Sequence, residues 1–281
     1  MKIGIFDSGL GGLIITRAIK KAMPLYDYVY FGDTKRLPYG NKSHEAVLEF
    51  TRQAVDYLFR QENCAIIIIA CNTASARALR QIQHTRSLIL PLGKGEMPKA
   101  EGVRKVLGVL VPAAEEASKY KRVGILATLG TIASNTFPVE IKKMNKQTKV
   151  FQNAAPALVP LIEEGANALA TPFLLKYLKP FMNKKLDALV LGCTHYPILK
   201  KEIKKVIQEK FPKIKIISQD EIIPKKLEEY LARHSEITEK LSKNRSMKIL
   251  VTDKTQNMDH LVKKWFGKTN VETISNSSLS S

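Results

Sequence analysis

Leu186-Asp-Ala-Leu-Val-Leu-Gly-Cys-Thr-His-Tyr-Pro197 is an apolar run that ends in Cys193 and His195, where a strand should give way to a helix. Ala65-Ile-Ile-Ile-Ile-Ala-Cys-Asn-Thr-Ala-Ser75 has the same form and delivers Cys71, Asn72 and Thr73. Each thiol stands at the mouth of a strand and is followed by small polar residues. The pattern suggests a matched pair of proton-transfer groups.

Around these stretches, strands and helices alternate. Lys2–Phe6 reads as a strand and Asp7-Ser-Gly-Leu-Gly-Gly12 opens a helix running to about Lys21. Tyr28–Phe31 is a second strand, and Ser43 caps a long helix to Arg60. A helix over Thr73–Gln83 follows the Cys71 strand. Leu88–Lys105, with its Gly, Pro and charged residues, reads as a linker. The alternation then resumes with strands at Val106–Val111 and Arg122–Ala127. Helices follow near Ala113–Ser118, Ser134–Met144, Pro156–Ala166 and Thr171–Met182, with Thr128-Leu-Gly-Thr131 as a loop. After Cys193 come a basic helix, a strand at Lys213–Ser218, a helix at Ile223–Ala232, a strand at Lys248–Thr252, a helix at Met258–Phe266 and a short strand at Val271–Ile274. The Ser-rich tail Ser275–Ser281 reads as frayed.

The halves look alike. Lys2-Ile-Gly-Ile-Phe-Asp-Ser-Gly-Leu-Gly-Gly12 resembles Arg122-Val-Gly-Ile-Leu-Ala-Thr-Leu-Gly-Thr131, and Gly4 precedes Cys71 by nearly the interval that separates Gly124 from Cys193. The expected fold is α/β: two similar domains, each a mainly parallel sheet flanked by helices, with the active site in the cleft between them. The first domain is expected over residues 1–100 plus 218–281 and the second over 101–217.

Composition bounds the function. The chain has 281 residues, 44% of them hydrophobic, which suits a packed core. No apolar run reaches the length of a membrane helix, and Met1-Lys-Ile-Gly-Ile-Phe-Asp7 reads as a strand without signal-peptide regions. The three cysteines, Cys64, Cys71 and Cys193, have no metal-ligand spacing and suggest no disulfide framework. A soluble, cytoplasmic, metal-free protein is expected. The net charge of +19 favours anionic partners, but Lys200, Lys201, Lys204, Lys205 and Lys210 mostly fall on the solvated face of an amphipathic helix. No recognised motif or interleaved aromatics support a nucleic-acid groove.

Ligands of open α/β sheets bind at the carboxyl ends of strands, where all the polar motifs fall. A helix N-terminus favours a thiolate, which suits Cys71 and Cys193; the alternative is that a cysteine is simply buried, the reading preferred for Cys64. Asp7 precedes its glycines in a spacing that does not fit a dinucleotide fingerprint, and its charge would repel a pyrophosphate. It is either a helix N-cap or a carboxylate near a thiol or amino group. His195 is either a general acid/base that tunes Cys193 or a structural histidine.

Together, Ile5-Phe-Asp-Ser-Gly-Leu-Gly-Gly12, Tyr30-Phe-Gly-Asp-Thr34, Pro38-Tyr-Gly40, Ala70-Cys-Asn-Thr-Ala-Ser75, Ala127-Thr-Leu-Gly-Thr131 and Gly192-Cys-Thr-His-Tyr-Pro197 resemble the glutamate racemases of the cofactor-independent kind. The resemblance implies interconversion of L- and D-glutamate without pyridoxal phosphate or metal, feeding peptidoglycan synthesis. It makes Cys71 and Cys193 the acid and base on opposite faces, with Asp7 assisting near Cys71 and His195 near Cys193. Glu163 matches a family carboxylate linked to the second thiol. Ser8, Tyr39, Gly40, Asn72, Thr73, Thr128, Thr131 and Thr194 would hold the substrate's carboxylates and ammonium. A homodimer is expected. Some family members also bind DNA gyrase, a contact no motif here supports. The segment Leu92–Arg104 is longer than the family's usual link. The rival readings are an aspartate racemase, a basic nucleic-acid-associated protein, and a thiol hydrolase or redox protein needing one essential cysteine or a bridging pair.

Overall fold

The computed structural model describes residues 1–88 and 104–274. The tail and most of the Leu88–Lys105 segment, including residues 92–103, lie outside the described residues.

The strands are β1 (Lys2–Asp7), β2 (Tyr28–Gly32), β3 (Cys64–Ile69), β4 (Lys105–Gly108), β5 (Arg122–Ala127), β6 (Lys149–Ala154), β7 (Ala188–Gly192), β8 (Lys215–Ile217), β9 (Met247–Val251) and β10 (Val271–Thr273). They form two sheets, one in the order β10-β9-β2-β1-β3-β4 and one in the order β6-β5-β7-β8. Every pairing is parallel. A parallel strand covered on both faces needs a continuous apolar run, and β3 and β7 are buried at every residue. Helices cross between the strands. In His44–Arg60, Ser43 Oγ accepts from Ala46 N at 3.2 Å, while Val47, Thr51, Ala54, Val55 and Leu58 turn inward.

The boundary between the halves differs from the expected one. Ile66–Ile69 of β3 pairs with Lys105–Gly108, so β4 extends the first sheet and the sheets divide the chain after Gly108 rather than at 100. The run Val106–Val111 is half strand and half helix, because Leu110 begins the helix Leu110–Ala117. Short apolar runs do not distinguish the two states by pattern. Strand β6 is an addition: its side chains are half-buried or exposed at the sheet edge, so Lys149-Val-Phe-Gln-Asn-Ala154 lacks the apolar run of a central strand. The expected loop Thr128–Thr131 is the capped start of the helix Leu129–Ala133.

The last section returns to the first sheet, where β9 pairs with β2 and β10 with β9. One hydrophobic cluster covers one face of the first sheet, around Phe6, Phe31, Leu58 and Ile69. Another covers one face of the second, around Ile125, Phe137 and Val190. A third joins residues of both sheets, from Ile5 and Ile68 to Leu126 and Leu191, and includes Leu10, Ile162 and Trp265. No helix among the described residues is long and apolar enough to cross a membrane.

Candidate active site

Parallel strands carry the residues after them to one pole. Asp7 ends β1, Cys71 lies just past β3, Thr128 just past β5 and Cys193 just past β7. These ends meet around a cavity lined by both thiols, with Ser8, Asn72, Thr73, Thr128, Glu163 and His195 among its walls. The walls enclose about 50 Å³ in which a water centre can move. Neither lysine nor arginine is among the lining residues.

Cys71 forms the N-cap of the short helix Asn72–Arg77, and its Sγ lies 3.4 Å from Ser8 Oγ. Burial pushes its thiol up to about 12, and the nearby Asp7 carboxylate adds to the rise. The Ser8 hydroxyl and the Ala74 N–H act in the opposite direction without overcoming these effects. Asp7 is fully buried behind the cavity wall. Its Oδ2 accepts from Gly9 N at 3.2 Å and Gly12 N at 3.1 Å, and its Oδ1 accepts from the Thr194 hydroxyl at 3.3 Å. Gly12 opens the helix Gly12–Ala22, so the carboxylate both satisfies a helix-start donor and charges the Cys71 side. Burial raises the Asp7 carboxyl above its usual range, against the pull of the His195 charge and the two N–H donors.

Cys193 has a different neighbour. Its Sγ lies 3.8 Å from His195 Nδ1, and His195 Nε2 lies 2.8 Å from Glu163 Oε1. Burial opposes a charged imidazole here. The hydrogen bonds to Cys193 and Glu163, with the Glu163 charge, outweigh burial and raise His195 well above its ordinary value. The Trp265 ring meets the imidazole edge-on, with centroids 6.0 Å apart. Thr194 Oγ1 is 3.4 Å from His195 Nδ1, which closes a polar path Asp7–Thr194–His195–Glu163 between the half-sites. Gly11 permits the approach of the two lobes: a Cβ there would stand 2.5 Å from His195 Nδ1.

Three hydroxyls meet across the halves. Thr73 Oγ1 lies 2.9 Å from Thr128 Oγ1 and 3.3 Å from Thr131 Oγ1, and the latter two are 3.0 Å apart. Gly40 packs against Thr128, leaving no room for a Cβ. The Tyr39 hydroxyl donates to Asp33 Oδ2, and Asp33 also accepts from Arg36 Nε at 2.6 Å and from Thr252 Oγ1 at 2.9 Å. Asn72 exchanges two amide hydrogen bonds with Gln219.

Of the residues singled out from the sequence, Ser8, Tyr39, Gly40, Cys71, Asn72, Thr73, Thr128, Glu163, Cys193, Thr194 and His195 line the cavity. Asp7 and Thr131 do not; they stand behind it, hydrogen-bonded to the lining residues Thr194 and Thr128. Asp33, Gln219 and Trp265 are supporting residues given no role from the sequence; Asp33 falls inside the motif Tyr30–Thr34, and the other two lie outside every motif. Asp33 and Gln219 also lie just past strand ends, after β2 and β8, so the strand-end rule could have found them. Trp265 carried only its status as the single tryptophan of the chain. Among the described residues no group of three His, Cys, Asp or Glu side chains is placed to hold a metal ion.

The family model for Asp/Glu/Hydantoin racemases matches residues 103–219. A glutamate racemase of Sulfurihydrogenibium sp. (strain YO3AOP1) is 36% identical over the full length of both chains. One from Aquifex aeolicus is 35% identical over 95% of each. The crystal structure of the Francisella tularensis glutamate racemase in complex with D-glutamate superposes with a TM-score of 0.85, at 31% identity over 98% of both chains. At this identity and coverage, with the polar strand ends gathered at one cavity, the chain belongs to the glutamate racemase family of isomerases.

Proposed function

We propose that this protein interconverts L- and D-glutamate by a two-base reaction, with Cys71 and Cys193 acting on opposite faces of the substrate. The observation that carries this reading is one small cavity lined by two buried thiols with unlike neighbours. One thiolate takes the α-proton, and the electron pair of the C–H bond passes into the substrate carboxylate. The thiol on the other face then gives its proton to the same carbon. Nothing is oxidised or reduced. In the resting enzyme Cys71 holds its proton, and Cys193 Sγ faces the His195 ring across 3.8 Å.

Asp7, His195 and Glu163 set the charges around the two sulfurs. Ser8, Tyr39, Gly40, Asn72, Thr73, Thr128 and Thr194 supply neutral donors for the two substrate carboxylates and acceptors for the ammonium, and Thr131 holds Thr128. Fixed donors in a dry site stabilise developing charge far better than water does. A cavity with room for only a few waters needs to open for glutamate to enter. The units that move in this reading are the two sheets with the helices that cover them.

In this reading the protein is a cytoplasmic source of D-glutamate for peptidoglycan and so for cell-wall growth and cell shape. Exposed Leu169, Phe173 and Leu175 suit a homodimer contact; a monomer in sedimentation at micromolar concentration would remove that part. The main test supplies purified protein with L-glutamate or L-aspartate in D₂O and no added cofactor. Racemisation of glutamate with α-deuterium incorporation is expected, and equal turnover of aspartate would sink the glutamate assignment. Rescue of a D-glutamate auxotroph tests the cell-wall role.

A further inference from the structure

Asn72 lines the cavity next to Cys71, and its amide faces another buried amide rather than solvent. Asn72 Nδ2 donates to Gln219 Oε1 at 2.7 Å, and Gln219 Nε2 donates back to Asn72 Oδ1 at 2.6 Å. Asn72 opens the helix Asn72–Arg77, beyond β3 of the first sheet. Gln219 opens the helix Gln219–Ala232, beyond β8 of the second. The pair therefore joins strand ends of different sheets immediately beside one of the two thiols.

A primary amide carries two N–H donors and one oxygen with two lone pairs. The reciprocal pair uses one donor and one lone pair of Asn72 and leaves one N–H for a ligand. Turning the Asn72 amide alone would set oxygen against oxygen and nitrogen against nitrogen, losing both bonds in a buried place. We infer that Gln219 is a positioning residue, which locks the Asn72 amide so that an N–H meets the anionic substrate and links that alignment to the seating of one sheet against the other. The inference rests on the reading of Asn72 as a substrate-binding residue.

The test uses three variants of the full chain. Gln219→Leu keeps bulk but has no polar atoms. It should lower kcat/KM for L-glutamate by about tenfold to a hundredfold, mainly through KM, because a mobile amide is a poorer donor. Gln219→Glu guards against a folding failure. Its protonated form can both accept from Asn72 Nδ2 and donate to Oδ1, whereas its ionised form cannot donate. Its activity relative to the parent should therefore fall as pH rises from about 5 to about 9, a dependence that simple packing would not produce. A Gln219→Leu variant within twofold of the parent, or a Gln219→Glu ratio that stays at the parental level across that range, overturns the inference. Asn72→Ala separates the two claims. If it leaves kcat/KM unchanged, the substrate-binding reading of Asn72 fails. If it lowers kcat/KM while Gln219→Leu does not, only the positioning role of Gln219 fails.

Discussion

The two half-sites meet the same geometric need with opposite charges. Cys71 stands beside a buried carboxylate, with the Ser8 hydroxyl and the Ala74 N–H near its sulfur, and its thiol is pushed up to about 12. Cys193 stands beside an imidazole held cationic by Glu163. A reaction that moves one proton between two mirror-related positions needs one sulfur charged and the other protonated at each moment. In the proposed two-base reading, equal neighbours would leave that choice open, and the unlike neighbours distinguish the two sulfurs. The repeat in the chain thus gives similar scaffolds, and the difference lies in what stands beside each sulfur: Asp7 and Ser8 from the end of β1 at Cys71, His195 backed by Glu163 at Cys193.

The severest break of this comparison removes a sulfur. Cys71→Ala and Cys193→Ala should each lower racemisation by at least about a thousandfold in both directions. Each should still exchange the α-proton of one enantiomer in D₂O, and not the same one. Full racemisation by either variant, monitored by polarimetry, would end the two-base reading.

Neutralising the charge on each side comes next. Asp7→Asn should cost about a hundredfold in kcat/KM. It should also bring the Cys71 thiol down from its present value, which the pH dependence of alkylation at Cys71 would report. Glu163→Gln should cost about tenfold to a hundredfold and lower the His195 titration, readable by NMR of the imidazole. The raised His195 also fixes the sign for stability. Its contribution is whole below the free imidazole value of about 6.5 and is lost as pH rises through the folded value. Glu163→Gln should flatten that part of the denaturation profile. The mildest change is Ser8→Ala, which removes the hydroxyl at Cys71 Sγ. A loss of about threefold to tenfold is expected, with the Cys71 alkylation profile moving further to alkaline pH.

How far the chain could be read depended on where its hydrophobicity was concentrated. Central strands such as β3 and β7 are covered on both faces and announce themselves as apolar runs. Edge strand β6 does not, since half-exposed Gln152 and Asn153 are compatible with its place. Lys105–Gly108 shows a second limit. Its extended form was legible, but its partner was not, because pairing with β3 depends on a return path no local pattern specifies. Within the site, both thiols and the small polar residues beside them were marked by their strand-end motifs, whereas Glu163, at the end of a helix, was not. The groups supporting them were not: Gln219 reaches Asn72 from the other sheet, and Trp265 reaches His195 from a helix late in the chain. Only tertiary packing brings these together.

The hydrophobic cluster that takes in Ile5 and Ile68 together with Leu126 and Leu191 sets the mechanical character of the whole chain. Two lobes with separate cores would melt in separate steps. A shared core makes each lobe lose apolar cover when the other unfolds, so heat should take both apart in a single calorimetric transition. The same seam limits how the cavity can admit a ligand. In the proposed opening, parting the lobes outright would expose that core to water, so a tilt about packed apolar contacts costs less.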